Sequence, residues 1–194
     1  MSRSAPQAAG MAVGSFPRTD NYRPGGILAL DLSRWCGWAY GHIGDAAPKF
    51  GTIRLSDTLE EARYCAFEDR IEEMIEAMAP LRLVLEAPLP LPAHTSLMVT
   101  AQQLTLRGLA RMAAWRASVA RSEIDVGTVR LDILGRRYFP KDQVKREVLR
   151  FCLRQGWKVP DHNAGDACLV WLWHVRQCQG VRPASGPLFA DAAA

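Results

Sequence analysis

The sequence predicts a single α/β domain in which helices cover the faces of a mixed sheet. Short apolar segments rich in β-favouring residues alternate along the chain with longer segments of helical periodicity. Such an alternation is typical of a sheet flanked by helices. With 194 residues, 48% of them hydrophobic, the chain is long enough for one sizeable core and too short for two.

Three strands are predicted near the start of the domain. Residues 27–31 and 37–42 read as two strands separated by a kink, because glycines at 37 and 41 bracket aromatic, β-favouring residues. Residues 50–55 give the third strand. These short segments are expected to form one side of the sheet.

A helix and a fourth strand follow. Residues 58–79 are predicted to be helical, because apolar side chains recur at helical spacing while glutamates fill most of the other face. The inward set is Phe67, Ile71, Met74, Ile75 and Met78. Pro80 ends this helix, and the nearly all-apolar segment 81–87 is typical of a strand buried on both faces. The loop 88–94 carries three prolines and is not expected to be regular.

The second half of the chain is predicted to hold a long helix, a last strand and two more helices. The long helix carries one apolar stripe, with its arginines mostly off that stripe; the stripe is Ala101, Leu104, Gly108, Met112, Trp115 and Val119. Residues 126–133 are predicted to be the last strand. Residues 141–155 form a helix whose inward side chains are Val144, Val148, Phe151 and Cys152. The final helix, 163–178, is apolar enough to be buried, and Trp171 and Trp173 are assigned to packing.

The termini and the cysteines bear on domain limits and cell compartment. Residues 1–24 are expected to be a disordered arm, residues 25–179 the folded domain and residues 180–194 a disordered tail. The arm lacks the apolar core of a secretory signal, and no segment approaches the ~18 apolar residues of a membrane span. The five cysteines contain no C-x-x-C pair and are interpreted as reduced residues of a cytoplasmic protein.

The net charge of +4 conceals an uneven distribution. Residues 100–158 contain thirteen Lys and Arg against five acidic residues, so the remainder of the chain is net acidic. A basic half indicates a polyanionic partner, with nucleic acid the leading candidate. Solvated helix faces would give the same count, so charge alone leaves both interpretations open.

Three acidic residues stand in apolar surroundings. Asp31 ends the first strand, Glu86 ends the buried fourth strand, and Asp166 lies near the start of the final helix. Burying ionised carboxylates costs several kcal/mol or more unless something compensates them, and a divalent metal compensates several at once. Mg²⁺ suits such hard oxygen ligands. Asn163 lies three residues before Asp166 and therefore shares its helix face.

These segments, in this order, resemble the motifs of the RuvC-type crossover-junction endodeoxyribonucleases, particularly their phage- and prophage-borne branch. The first motif is similar to ILALD ending at Asp31 together with GWA at 37–39, and the second to VLE ending at Glu86. The segment from Ser96 to GLA at 108–110 resembles the helix after the glutamate. KDQVK at 141–145 resembles the family's basic helix start, and NAGDA at 163–167 its terminal acidic motif.

The resemblance implies a ribonuclease H-like fold with a mixed five-stranded sheet, the first three strands antiparallel and the last two parallel, and helices on both faces. It also implies a homodimeric nuclease that uses Mg²⁺, with Mn²⁺ as a substitute, to cut branched DNA such as Holliday junctions. Asp31, Glu86 and Asp166 would bind metal, and Asn163 would complete the catalytic set. The expected DNA contacts are Lys141, Lys145, Arg146, Arg107 and Arg111.

The chain departs from the family pattern at three places. Asn163 stands where the family has Asp or His, and a neutral amide cannot act as a base; the neighbouring His162 is the alternative. LSR at 32–34 replaces the family's Pro-Gly after the first aspartate. The loop 88–94 has no aromatic residue, so Leu89 and Leu91 are the candidates for separating bases there, with a simple proline-rich connector as the alternative interpretation. Junction specificity is thus less firmly indicated than nuclease chemistry.

Other functions remain as alternatives. Because of Asn163, one alternative is a catalytically weak or silent DNA-binding or scaffold protein with the same fold. Another is a nuclease that acts on a nucleic-acid structure other than branched DNA. A sugar-kinase-like or actin-like phosphotransferase also begins with a strand-borne aspartate. That class needs glycine-rich phosphate-binding loops, and no such cluster surrounds Asp31 or Asp166.

Overall fold

The structure is a computed structural model that describes residues 22–55, 59–87, 96–140 and 143–180. Ten elements follow one another within these ranges. They are β1 (Ile27–Asp31), β2 (Trp35–Gly41), β3 (Lys49–Arg54), α1 (Glu60–Met78), β4 (Arg82–Glu86), α2 (Leu97–Arg116), β5 (Ala120–Ile124), α3 (Val126–Leu134), α4 (Gln143–Arg154) and α5 (His162–Cys178).

The five strands form one sheet in the order β3-β2-β1-β4-β5. Strand β2 pairs antiparallel with both β1 and β3, whereas β4 pairs parallel with β1 and β5 pairs parallel with β4. This is the mixed sheet that the sequence predicted. Because β1 and β4 run in parallel with Leu30 opposite Leu85, Asp31 and Glu86 end neighbouring strands at the same edge of the sheet.

Helices cover both faces of the sheet, as expected. Leu28 and Leu30 of β1 pack with α1 and α2 in one core, while Ile27 and Ala29 pack with α4 and α5 in the other. Side chains alternate between the two faces along a strand. By this alternation Asp31 belongs to the face that α5 covers.

The last strand was predicted at the wrong place. Residues 126–133 lie in helix α3, and the strand is β5, directly before it. Asp125 begins the helix because its carboxylate accepts a hydrogen bond from the backbone N–H of Thr128 at 2.9 Å, as an N-cap residue does. Strand β5 lies at the sheet edge and carries Arg121 and Glu123, so it lacks the apolar signature of a buried strand.

The inward face of α2 also differs from the expectation. Leu104, Met112 and Trp115, which the sequence placed on the apolar stripe, are exposed. The buried residues are Leu106, Arg107, Ala110, Ala113 and Ala114. Helix α2 contacts α1, and small alanine side chains allow two helices to approach closely, so the larger apolar residues are left on the outer surface.

The other helices agree closely with the sequence prediction. All five residues expected to point inward from α1 are buried, and Val148, Phe151 and Cys152 of α4 are buried with Trp171 of α5. The five cysteines are free. No helix of the described residues is long and apolar enough to cross a membrane.

Some predictions concern residues that the structure does not describe. Nearly all of the expected arm 1–24 and tail 180–194 lies outside the described residues, as do the loop 88–94, its Leu89 and Leu91, and Lys141.

Candidate functional site

Asp31 and Glu86 meet at the edge of the sheet where β1 and β4 end. The strand register aligns the two strand ends, and the carboxyl of Asp31 shares a hydrogen bond with that of Glu86. Burial raises the pKa of Asp31 well above its usual range, and the negative charges of Glu86 and Asp166 raise it further. Burial also raises the pKa of Glu86. A protonated Asp31 that donates to an ionised Glu86 accounts for the pair.

Helix α5 brings the third acid to this edge. Its first turn lies directly against β2 at Gly37, where a Cβ atom would stand 2.0 Å from the backbone oxygen of Asn163. Only glycine permits that approach, which sets the position of Asp166 one turn further along. Burial raises the pKa of Asp166 to about 7, although the positive charge of Arg130 opposes the shift. The Oδ1 atom of Asp166 is buried and has no hydrogen-bond partner.

Arg130 of α3 is a site residue that the sequence analysis missed. Its Nη2 atom lies 3.7 Å from Oδ1 of Asp166, an ion pair that is too long for a hydrogen bond. Its charge also acts to lower the pKa values of Asp31 and Glu86. Arg130 was missed because residues 126–133 were predicted to form a strand. The signal that was available is Asp125 followed three residues later by Thr128, a helix start that places Arg130 in the second turn.

The other two candidate site residues, Asn163 and His162, lie in the first turn of α5. Asn163 is 8% exposed, so it lies in the protein interior as one of two buried polar side chains among the described residues. His162 is partly buried, and burial together with the positive charge of Lys145 lowers its pKa. The structure thus places His162 close to the basic helix α4.

The basic residues predicted to contact DNA occupy different environments. Lys145 is exposed on α4 and near enough to Asp166 to lower its pKa, and Arg146 beside it is also exposed. Arg111 is exposed and pairs with Glu123 of β5 at 3.6 Å. Arg107 is only 7% exposed and donates to the backbone carbonyl of Glu86. Its burial speaks against the predicted phosphate contact and makes it a residue that fixes the end of β4.

The donor set was tested for its fit to a metal. Among the described residues, no three His, Cys, Asp or Glu side chains are grouped closely enough to form a ready-made metal site. The chemistry nevertheless fits a hard cation, because Asp31, Glu86 and Asp166 are oxygen donors that influence one another's ionisation, and Oδ1 of Asp166 is left without a hydrogen bond. A proton on Asp31 and the guanidinium of Arg130 compensate the acids in this arrangement.

Solved structures share this fold. The chain is similar to RuvC of Thermus thermophilus at 18% identity and a TM-score of 0.58, with 80% of this chain and 97% of RuvC covered. The same protein in complex with a Holliday junction substrate matches at 14% identity and a TM-score of 0.63, covering 81% and 97%. The yeast mitochondrial Holliday junction resolvase Ydc2 matches at 10% identity and a TM-score of 0.57, covering 84% and 85%.

The likeness establishes the RuvC-like ribonuclease H fold for this chain. No protein-family model matches the sequence, and neither does any curated protein. At these identities the fold is shared while the sequence has diverged widely.

Proposed function

We propose that this protein is a Mg²⁺-dependent endodeoxyribonuclease that cleaves branched DNA, with the Holliday junction as its principal substrate. The observation that carries the proposal is the convergence of Asp31, Glu86 and Asp166 at one edge of a sheet whose fold matches that of Holliday junction resolvases. Burial of three acids is costly and serves no packing purpose, which favours a functional role for them.

Asp31, Glu86 and Asp166 are the proposed metal ligands, with Mn²⁺ as a substitute for Mg²⁺. Bound metal ions of this kind activate a water molecule and stabilise the leaving oxygen in phosphodiester hydrolysis. Asn163 completes the catalytic set as a neutral amide, which orients a polar group without accepting a proton. Asp31 would have to be ionised to serve as a ligand, because metal ligands bind in the deprotonated form.

Arg130 and Lys145 supply positive charge beside these acids. Arg130 pairs with Asp166 at 3.7 Å, and a guanidinium also binds phosphate oxygens in a bidentate manner. Lys145, Arg146 and Lys141 are proposed to hold the DNA backbone without reading its sequence. Arg111 is proposed as a further contact to the DNA backbone. The buried Arg107 is not, because it holds the backbone carbonyl of Glu86.

A homodimer is part of the proposal. Two symmetric cuts at one branch point require two active sites, and the exposed face of α2 offers an apolar surface for a second copy of the chain. On this face Leu104 is 50%, Met112 47% and Trp115 71% exposed. Contiguous apolar side chains at the surface mark interaction sites more often than scattered ones do.

The direct test is cleavage of a synthetic four-way junction by wild type and by Asp31→Asn. Wild type is expected to nick the junction in Mg²⁺ and to be inactive in EDTA. Asp31→Asn should bind the junction but fail to cut it, because the amide cannot serve as an anionic ligand. Asp69→Asn, an exposed residue of α1, is the matched control and should cleave normally.

Linear duplex and an RNA–DNA hybrid of the same length are the comparison substrates. Preferential cutting of either one would assign the nuclease to another nucleic-acid structure. Unimpaired nicking by Asp31→Asn would refute the proposed metal-ligand role.

The second candidate is a catalytically silent DNA-binding protein. It is favoured by the ion pair of Arg130 with Asp166 and by the neutral Asn163, since both reduce the negative charge of the site. Tight junction binding by wild type with no cleavage in either Mg²⁺ or Mn²⁺ would establish this alternative.

A further inference from the structure

Residues 136–139, with the sequence Arg-Arg-Tyr-Phe, form an exposed loop between α3 and α4 to which the function proposed above gives no role. The ring of Tyr138 is 78% exposed, an unusual position for a large aromatic side chain. The two residues directly before Tyr138 are Arg136 and Arg137. An exposed ring among cationic side chains is the combination that nucleic-acid-binding surfaces use.

The loop is held at both ends. Gly135 ends α3 with a left-handed φ of 74°, a conformation in which glycine carries no steric cost. Pro140 at the other end restricts Phe139 to an extended conformation. After Gly135 the chain folds back so that Arg137 packs beside Gly127 near the start of α3, and Tyr138 follows directly after it.

Arg137 fixes the base of the loop to the sheet edge that carries the acids. Its Nη2 atom donates to Asp125 at 2.7 Å, and its Nη1 atom lies 3.4 Å from the hydroxyl of Thr128. Asp125 directly follows Ile124, which is the register partner of Glu86 in the sheet. The loop is thus joined through one side-chain contact to the strand end beside Glu86.

Helix α3 gives a second link between the loop and the acids. The helix runs from the Asp125 cap to Gly135 and carries Arg130, which pairs with Asp166. One short rigid element therefore has the acid site on one side and the 136–139 loop at its end. Asp125, which Arg137 contacts, lies near enough to Glu86 to raise its pKa, so DNA bound at the acids would pass near the start of this loop.

Each arginine also contacts one of the two aromatic rings, Arg137 that of Tyr138 and Arg136 that of Phe139. The guanidinium carbon of Arg137 lies 5.9 Å from the ring centre of Tyr138, and that of Arg136 lies 6.0 Å from the ring of Phe139. Such contacts hold a ring without covering it. The free face of Tyr138 is then available to a flat partner such as a nucleobase.

We infer that Tyr138 is a specificity-determining residue that stacks on an unpaired or unstacked base at the DNA branch point, while Arg136 neutralises an adjacent phosphate. A continuous duplex keeps its bases stacked on one another and offers no free base face, whereas a branch point does. The ring therefore favours branched over linear DNA. This inference rests on the proposed function, because it assumes that branched DNA occupies the acid site.

The test compares binding of Tyr138→Ala, Tyr138→Phe and wild type to a four-way junction and to a linear duplex, in EDTA at one salt concentration. Loss of a base-stacking ring weakens binding by about 5- to 150-fold. Tyr138→Ala should lose that factor on the junction and change by about twofold or less on the duplex. Tyr138→Phe keeps the ring and should match wild type.

Arg136→Ala is the control for charge. It should weaken binding to the junction and to the duplex equally, because a phosphate contact does not distinguish branched from linear DNA. The number of counterions released on binding, read from the salt dependence, should fall by about one. A junction with 2-aminopurine at the branch point gives a direct readout. Its change in fluorescence on binding should be lost in Tyr138→Ala and kept in Tyr138→Phe.

The outcomes separate this inference from the proposed function. If wild type neither binds nor cleaves the junction, the proposed function fails. If wild type cleaves the junction and Tyr138→Ala keeps the full preference for it, only the inference about Tyr138 is overturned. A parallel loss of binding to junction and duplex in Tyr138→Ala would also overturn it, since the ring would then be a general contact.

Discussion

At the scale of single residues, the acids of this protein are notable for the way they are compensated. Burial and the neighbouring acids raise the pKa of Asp31, whose carboxyl shares a hydrogen bond with Glu86, and Asp166 faces the guanidinium of Arg130. Each arrangement removes net negative charge from a buried region. A divalent metal would replace both compensations, which links the ionisation of the site to the stability of the fold.

The raised pKa of Asp166 predicts how stability depends on pH without metal. Its pKa rises from 3.8 in the unfolded chain to about 7 in the fold, so the folded state binds this proton more tightly. As pH rises from about 4 to about 7, the unfolded chain loses its proton first and the free energy of unfolding decreases. Asp31 acts in the same direction, while the charges of Arg130 and Lys145 moderate the effect.

Thermal unfolding in EDTA between pH 4 and pH 8 measures this dependence. Asp166→Asn should flatten the decline in Tm, whereas Asp69→Asn on the exposed face of α1 should keep the wild-type slope. Mg²⁺ should raise Tm more at pH 8 than at pH 5, because it binds the ionised acids. An identical slope for wild type and Asp166→Asn would contradict the assignment.

At the scale of elements, the position of α5 decides whether the three acids meet. Asp161 caps this helix by accepting from the backbone N–H of Ala164 at 3.0 Å, and the same oxygen accepts from the hydroxyl of Thr52 at 2.8 Å. Thr52 belongs to β3, so one carboxylate fastens the helix start to the sheet. Together with the close approach at Gly37, this fixes the first turn that precedes Asp166.

Asp161→Ala is expected to loosen that turn. Loss of an N-cap costs about 0.5–2 kcal/mol of stability, which corresponds to a few degrees in Tm for a chain of this size. Cleavage should fall while junction binding is kept, because the acids move and the basic helix α4 does not. Asp161→Asn retains an acceptor oxygen and serves as the matched control.

Thermal unfolding, junction binding and single-turnover cleavage distinguish the two variants. Asp161→Asn should lie near wild type in all three. If Asp161→Ala cleaves at the wild-type rate with an unchanged Tm, the cap is not what positions Asp166.

At the scale of the whole molecule, the outward face of α2 is the feature that packing within one chain leaves unexplained. Leu104, Met112 and Trp115 are exposed there, although the sequence pattern resembles that of an inward stripe. A second copy of the chain would bury them. In such a dimer the apolar pattern would be a correct signal of burial, with the partner subunit supplying the burying surface.

Leu104→Glu tests that interpretation, because a carboxylate at the centre of an apolar interface is strongly unfavourable. We expect wild type to sediment as a dimer and Leu104→Glu as a monomer. Leu153→Glu is the matched control, since Leu153 is an exposed leucine of α4, 68% exposed against 50% for Leu104. An unchanged dimer in Leu104→Glu, or a wild-type monomer at micromolar concentration, would place the interface elsewhere or remove it.

The sequence alone was sufficient for the elements whose periodicity is strong. Helix α1, helix α4, helix α5 and strands β1 to β4 lie close to their predicted bounds, because each buries a continuous apolar stripe or strand that local spacing reveals. Asp31, Glu86 and Asp166 were also singled out before the fold was known, since an acid in an apolar segment is conspicuous along the chain.

Only the tertiary structure decided which surfaces meet. Strand β5 is polar because it lies at the sheet edge, and Arg130 reaches Asp166 because α3 is a helix; neither fact is local. Arg107 is buried beside Glu86 of β4 and Glu123 of β5, whereas Leu104 is exposed, because tertiary packing selects which face of α2 turns inward. Periodicity shows that a face is to be buried, whereas the choice between the core and a partner depends on contacts distant in sequence.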